Sequence, residues 1–229
     1  MMCSMLRTTV CLLLAALPLA AEIPTGFEPI FNHQNIAGWH ISQTSHHGDT
    51  PDWRVRDGVM HGVDRRDGVL TGTQRPAGNG GILLTDETYG DFEVYLEVKP
   101  DFGCDGGLFL RSNEAGQAYQ VMLDYLEGGN IGGIYGERLS GVETTLSSGW
   151  EKVWKKEDWN ALRVRIEGEA PHIQVWLNGT KITDFQDSAN HAAGGAVEGM
   201  IAVQVHGGTQ RWNQGGFQRF RNIAVKRLP

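Results

Sequence analysis

The chain of 229 residues carries 27 acidic side chains against 20 Lys and Arg, a formal net charge of −7. That balance argues against nucleic acid and anionic membrane as partners and fits a protein whose ligand is neutral. Its 31 glycines are too many for a helical protein and follow no period, which excludes collagen and solenoid architectures.

At the N-terminus a single basic residue, Arg7, precedes the apolar run "VCLLLAALPLA" and then "AE". This is the order of a secretory signal peptide, and the run is too short to span a bilayer. Residues 1–21 are therefore expected to be removed, by cleavage near Ala20 or Ala21, from an exported periplasmic or secreted protein. Losing Arg7 changes the net charge from −7 to −8, and losing Cys3 and Cys11 leaves Cys104 alone. No internal disulfide can then form, and a packed core must hold residues 22–229, read here as one domain. No later stretch is apolar enough for membrane insertion.

The first polar cluster, "HHGDTPD" (46–52), offers His46, His47, Asp49 and Asp52 either as metal ligands or as solvated turn residues. Alternating runs then follow. "DFEVYLEVKP" (91–100) sets Phe92, Val94, Leu96 and Val98 against Glu93, Tyr95, Glu97 and Lys99. "GGLFLRS" (106–112) and "AYQVMLDY" (118–125) keep the period of two, whereas 125–158 reads as a long irregular insertion of the kind that often carries function. "NALRVRIEG" (160–168) alternates again, and "HIQVWLNGTKITDF" (172–185) is a hairpin turning at Asn178-Gly179. That pair also opens a formal glycosylation sequon, which a tight turn explains better. Asn190 and His191 sit in a further polar loop. Two strands close the chain: "IAVQVHGG" (201–208), and "GGFQRFRNIAVKRL" (215–228) with Phe217, Phe220, Ile223 and Val225. Many short alternating strands without an amphipathic helix predict an all-β, antiparallel two-sheet sandwich.

No phosphate-binding loop, nucleophile elbow, HExxH helix or paired cysteine is present, and no organic cofactor is indicated. Glu93 and Glu97 share a strand face but lie about 13 Å apart, beyond the roughly 5–9.5 Å of standard glycosidase carboxylate pairs. Trp53, Trp150, Trp154, Trp159 and Trp212 can either stack on sugar rings or pack in the core and its rim. If the apolar registers face inward, the outer faces carry Glu97, Arg111, Gln120, Asp124, Gln204 and His206, which a curved sandwich can gather into one hollow. Among these His206 is the natural proton carrier.

The strings "IFNHQNIAGWHI", "GILLTDETYGDFEVYLEVK", "CDGGLFLRS", "YQVMLD", "GGIYGE", "IQVWLNG" and "VQVHGG" occur in that order between about Phe27 and Leu228. Together they resemble the 3-keto-disaccharide hydrolase, or 3-keto-glucoside lyase/hydratase, domain family. The resemblance implies a concanavalin A-like jelly roll with a carbohydrate on its concave face. It also implies removal of the C2 proton of a 3-keto-glycoside, elimination at C1 and hydration, which amounts to glycoside hydrolysis. By residue, it makes His206 or Glu97 the base and Arg111 the group that polarises the keto oxygen. Gln204 would orient hydroxyls, with Gln120, Asp124 and Tyr135 completing a substrate-binding surface. A divalent metal is left open. Where many relatives read "EVQ", this chain has Gln120-Val121-Met122, which keeps a non-catalytic carbohydrate-binding module as the alternative.

Overall fold

The computed structural model describes residues 22–49, 51–56, 68–75 and 78–229. The leader expected at 1–21, with Cys3 and Cys11, lies outside them. Among the described residues, fourteen strands make up two antiparallel sheets. The first sheet contains β1 (Glu28–Pro29), β3 (Asp52–Arg56), β4 (Val69–Thr73), β6 (Phe92–Val98), β10 (Asn160–Glu167), β11 (His172–Leu177), β12 (Thr180–Gln186) and β14 (Gln218–Arg227). Its order is β12-β11-β10-β6-β14-β4-β3, with β1 pairing β14. The second contains β2 (Trp39–Ile41), β5 (Gly81–Tyr89), β7 (Gly107–Ser112), β8 (Ala118–Leu123), β9 (Ile131–Glu137) and β13 (Gly199–Val205), in the order β2-β5-β13-β7-β8-β9.

The core lies between the sheets and takes the inward half of each alternation. Phe92, Val94, Leu96 and Val98 of β6 and Leu162, Val164 and Ile166 of β10 meet Leu108, Leu110, Tyr119, Val121, Ile201, Val203 and Val205 of the second sheet. The hairpin of β11 and β12 turns as the sequence requires, with Asn178 at φ 49° and Gly179 at φ 83°. The Asn178 amide nitrogen donates to the Val153 carbonyl and to Asn160 Oδ1, both at 2.8 Å, so it is spent in the fold.

The segment 125–158 differs from the expected irregular insertion. Residues 131–137 form the edge strand β9, and Trp150–Val153 forms one helical turn. Gly132 and Gly133 hid this strand from a pattern search because neither supplies an apolar side chain. Their lack of Cβ is required by contacts: a Cβ at Gly132 would meet Ile182 Cδ1 at 2.4 Å, and one at Gly133 would meet Met122 Cε at 2.4 Å.

The outer face of the second sheet holds a separate apolar cluster of Ile82, Leu84, Phe109, Ala118 and Ala202. The turn between β7 and β8 folds onto it, since a Cβ at Gly116 would lie 2.7 Å from Ile82 Cδ1. Ser42 Oγ donates to the Glu114 carbonyl at 2.7 Å and ties the 42–48 loop to that turn. These loops wall off part of the outer face, and the remaining strip is polar.

Candidate functional site

The polar strip is built by strand geometry. Gln204 shares the outward face of β13 with Ala202, and Gln120 shares that of β8 with Ala118. Between them runs β7, where Gly107, paired with Met122, leaves the space into which the Gln120 side chain leans; a Cβ there would lie 2.5 Å from Gln120 Nε2. Across that gap Gln120 Nε2 donates to Gln204 Oε1 at 3.1 Å and to the Gly106 carbonyl at 3.2 Å. Gln120 faces Tyr135 on β9, and Glu137 follows two residues later on the same face. A cavity of about 410 Å³ opens above them, lined by His46, His47, Asp105, Gln120, Met122, Asp124, Tyr135, Glu137, His206 and Arg211. A second hollow adjoins it and shares His46, His47 and His206. The volume falls in the range of small-molecule sites.

His206 begins the loop after β13. Its Nδ1 lies 2.5 Å from the Gly207 carbonyl, which can only accept, so Nδ1 carries the hydrogen and Nε2 keeps its lone pair. Burial lowers its pKa, against the opposing pull of Asp105, whose Oδ2 is 3.8 Å from Nε2. His46 and His47 stack with ring centroids 3.9 Å apart, and His47 lies 4.8 Å from the His206 ring. Burial, followed by the neighbouring His47, pushes His46 down to about 4, so its imidazole is neutral at pH 7. Asp124 is pushed the other way, up to about 9, by burial and then by its hydrogen bond to Asp105. Arg211 spans both carboxyls, its Nε on Asp105 and its Nη2 3.2 Å from Asp124 Oδ2.

His46, His47 and Glu137 each offer a ligand atom within 4.8 Å of the others. His46 Nε2 is 3.0 Å and His47 Nε2 3.7 Å from Glu137 Oε1. Two imidazoles and a carboxylate with a cavity beside them fit a divalent first-row cation. A cation would compete with the Gln204 amide, which lies 2.7 Å from His47 Nε2.

The structure thus brings together His206, Gln204, Gln120, Asp124 and Tyr135. It does not bring in Glu97 or Arg111. Glu97 faces outward as its alternation requires, but β6 belongs to the first sheet, so its outward side is the opposite surface of the sandwich. There its carboxylate accepts from Arg221 and Asn222. Arg111 follows the bulge between β7 and β13 with φ at 51°, which breaks the alternation. Its fully buried guanidinium donates to the carbonyls of Gly90 at 3.0 Å and Gly168 at 2.9 Å, and to Asp91 at 2.6 Å, tying the β5–β6 and β10–β11 turns together at one end of the molecule. None of the five tryptophans lines the cavity. Trp53 and Trp212 are buried, Trp150 and Trp154 pack together at 6.2 Å, and Arg221 covers Trp159 at 4.3 Å. Asp49 and Asp52 are not among the cavity residues either. Asp105, Glu137 and Arg211 were missed by the sequence reading. Only Glu137 had a usable signal, its spacing of two from Tyr135 in "GIYGE".

Residues 26–226 match the 3-keto-alpha-glucoside-1,2-lyase-like domain. The chain belongs to that family. Solved structures share the family member's sandwich at low identity. One is a glycosyl hydrolase candidate from Parabacteroides distasonis, 20% identical with a TM-score of 0.59 over 88% of this chain and 99% of that one. Another is carbohydrate-binding module CBM66 from Bacillus subtilis, 14% identical with a TM-score of 0.53 over 82% and 95%. The alginate lyase Aly36B is 14% identical, with a TM-score of 0.51 over 72% and 82%. No curated protein matches this family member's sequence. At these identities the likeness extends to the fold; the family membership makes this a carbohydrate-related β-sandwich domain.

Proposed function

We propose that this protein cleaves 3-keto-glycosides outside the cytoplasm, and that the cavity on the outer face of the second sheet is where it does so. The observation that carries the reading is the convergence of a hydrogen-bonded amide pair, a histidine with a free Nε2 and a buried carboxyl pair in one hollow. A carbonyl at C3 of a sugar acidifies the hydrogen on C2. His206 Nε2 is the base that removes it. Gln120 and Gln204 hold ring hydroxyls, and the half-exposed Tyr135 offers a face for the sugar's C–H surface. The enolate expels the glycosidic oxygen at C1, and water adds to the resulting enone. Glu97 and Arg111 have no part in this scheme.

His46, His47 and Glu137 are the residues that would hold a divalent cation. When bound, such an ion supplies Lewis-acid polarisation of the keto oxygen, the role the family resemblance gave to Arg111. The leader-type N-terminal sequence supports export, and the net charge of −7 suits a neutral carbohydrate ligand.

His206→Ala tests the reading with purified protein and 3-keto-disaccharides, with and without chelator. Turnover is expected to fall by about 10²-fold or more while sugar affinity stays measurable. Turnover unaffected by this change removes His206 from the chemistry. The second reading, carbohydrate binding without cleavage, is favoured by the amide of Gln120, a position where the family resemblance implies a carboxylate. It predicts no turnover and equal affinity for oxidised and unoxidised oligosaccharides.

A further inference from the structure

Elimination at C1 needs an acid for the departing oxygen as well as a base. Resting on the reading above, we propose that Asp124 is the proton donor to the departing glycosidic oxygen, and that Asp105 passes the proton taken by His206 back to it. Asp105 lies just before β7 and Asp124 just after β8, two strands that are hydrogen-bonded neighbours. Their carboxyl groups line one cavity and share the single Arg211 guanidinium. Two buried carboxyls this close do not both ionise readily, and burial with Asp105 beside it raises Asp124 so that it keeps its proton. Arg211 bonds both, fixing their orientation. Asp105 is 2% and Asp124 8% exposed, so bulk water is a poor competitor for that proton. His206 Nε2 lies 3.8 Å from Asp105 Oδ2, the carboxyl next to it in the hollow.

The step balances within this constellation. Nε2 takes the hydrogen from C2, and the C–H electron pair becomes the enolate. The enolate forms the C1–C2 double bond as the C1–O bond breaks. The glycosidic oxygen leaves with that bonding pair and takes the Asp124 proton. The products are the unsaturated 3-keto sugar and a free alcohol. An imidazolium and a second carboxylate are left behind, and transfer through Asp105 restores both. No oxidant or reductant is consumed.

The charged groups facing Asp124 are Asp105 and Arg211; those facing His206 are Asp105, His46, His47 and Arg211. Asp124→Asn is nearly isosteric and removes only the transferable proton. Two substrates separate the roles: a 3-keto-disaccharide, whose alkoxide leaves poorly unaided, and 4-nitrophenyl 3-keto-glucoside, whose phenolate needs no acid. The expected result is a loss of about 10²-fold or more in kcat/KM on the disaccharide and less than about 5-fold on the nitrophenyl compound. Exchange of the C2 hydrogen in heavy water should continue, which also shows that the variant is folded. The fall in disaccharide cleavage above about pH 9 should disappear. Arg211→Gln, on the exposed side of the pair, should show the same selectivity with a smaller loss. Equal losses on both substrates, or none on the disaccharide, overturn the proposal while leaving the base and the reaction class standing. If the unaltered protein neither exchanges C2 hydrogen nor releases nitrophenol, the functional reading falls and this proposal with it.

Discussion

The Glu97 carboxylate is 3% exposed and accepts from Arg221 Nε and from Asn222 Nδ2, the latter at 3.0 Å. Arg221 in turn lies over the Trp159 ring, so this glutamate anchors a packed patch on the outside of the first sheet. Hydrogen bonds to charged groups contribute about 1.5–3 kcal/mol when their partner is lost. Glu97→Gln is therefore expected to lower stability by about that amount in a denaturant titration, while turnover on 3-keto-glycosides changes by less than about 2-fold. A large drop in turnover would instead connect this surface to the chemistry. Cys104 is equally uninvolved: burial pushes its thiol up to about 12, leaving it an inert core residue.

At the scale of elements, the site depends on β7 having no side chain where Gln204 and Gln120 reach across it. Gly107 is in a regular strand and lacks a positive φ, so its requirement is one of space. Gly107→Ala is expected to leave the sandwich folded but to push the Gln120 amide off Gln204. One lost hydrogen bond of about 1–1.5 kcal/mol corresponds to roughly tenfold weaker sugar binding, measurable by calorimetric titration. The neighbouring strand β9 shows why element boundaries were only partly legible. Alternating apolar residues announced β6, β8, β10 and β13, but β9 reads "IGGIYGE", where glycines replace the inward and outward side chains alike. Its identity as a strand comes from Val121, Tyr119 and the 145 region pairing with it.

For the molecule as a whole, the buried carboxyl pair links function to stability. Asp124 titrates near 3.8 when unfolded and at about 9 when folded, so the folded state binds its proton more tightly. The stability this contributes is fully present below the unfolded value and is lost as pH rises through the folded one. The melting temperature of the unaltered protein should thus fall, relative to Asp124→Asn, between about pH 4 and about pH 9. Parallel curves in differential scanning calorimetry would show that the pair holds no such proton. The sequence by itself determined the fold class, the inward half of most strands, the Asn178-Gly179 turn and the outward orientation of Gln120, Gln204 and Glu97. These follow from local rules: period-two alternation and the backbone freedom of particular turn residues. Only the tertiary structure decided which outward faces coincide. A sandwich has two outer surfaces, and alternation within a strand cannot say to which sheet that strand belongs. Long-range pairing placed Glu97 and His206 on opposite sides, sent Arg111 to the end of the molecule through a bulge, and assembled Asp105, Glu137 and Arg211 around His206 from segments far apart in the chain.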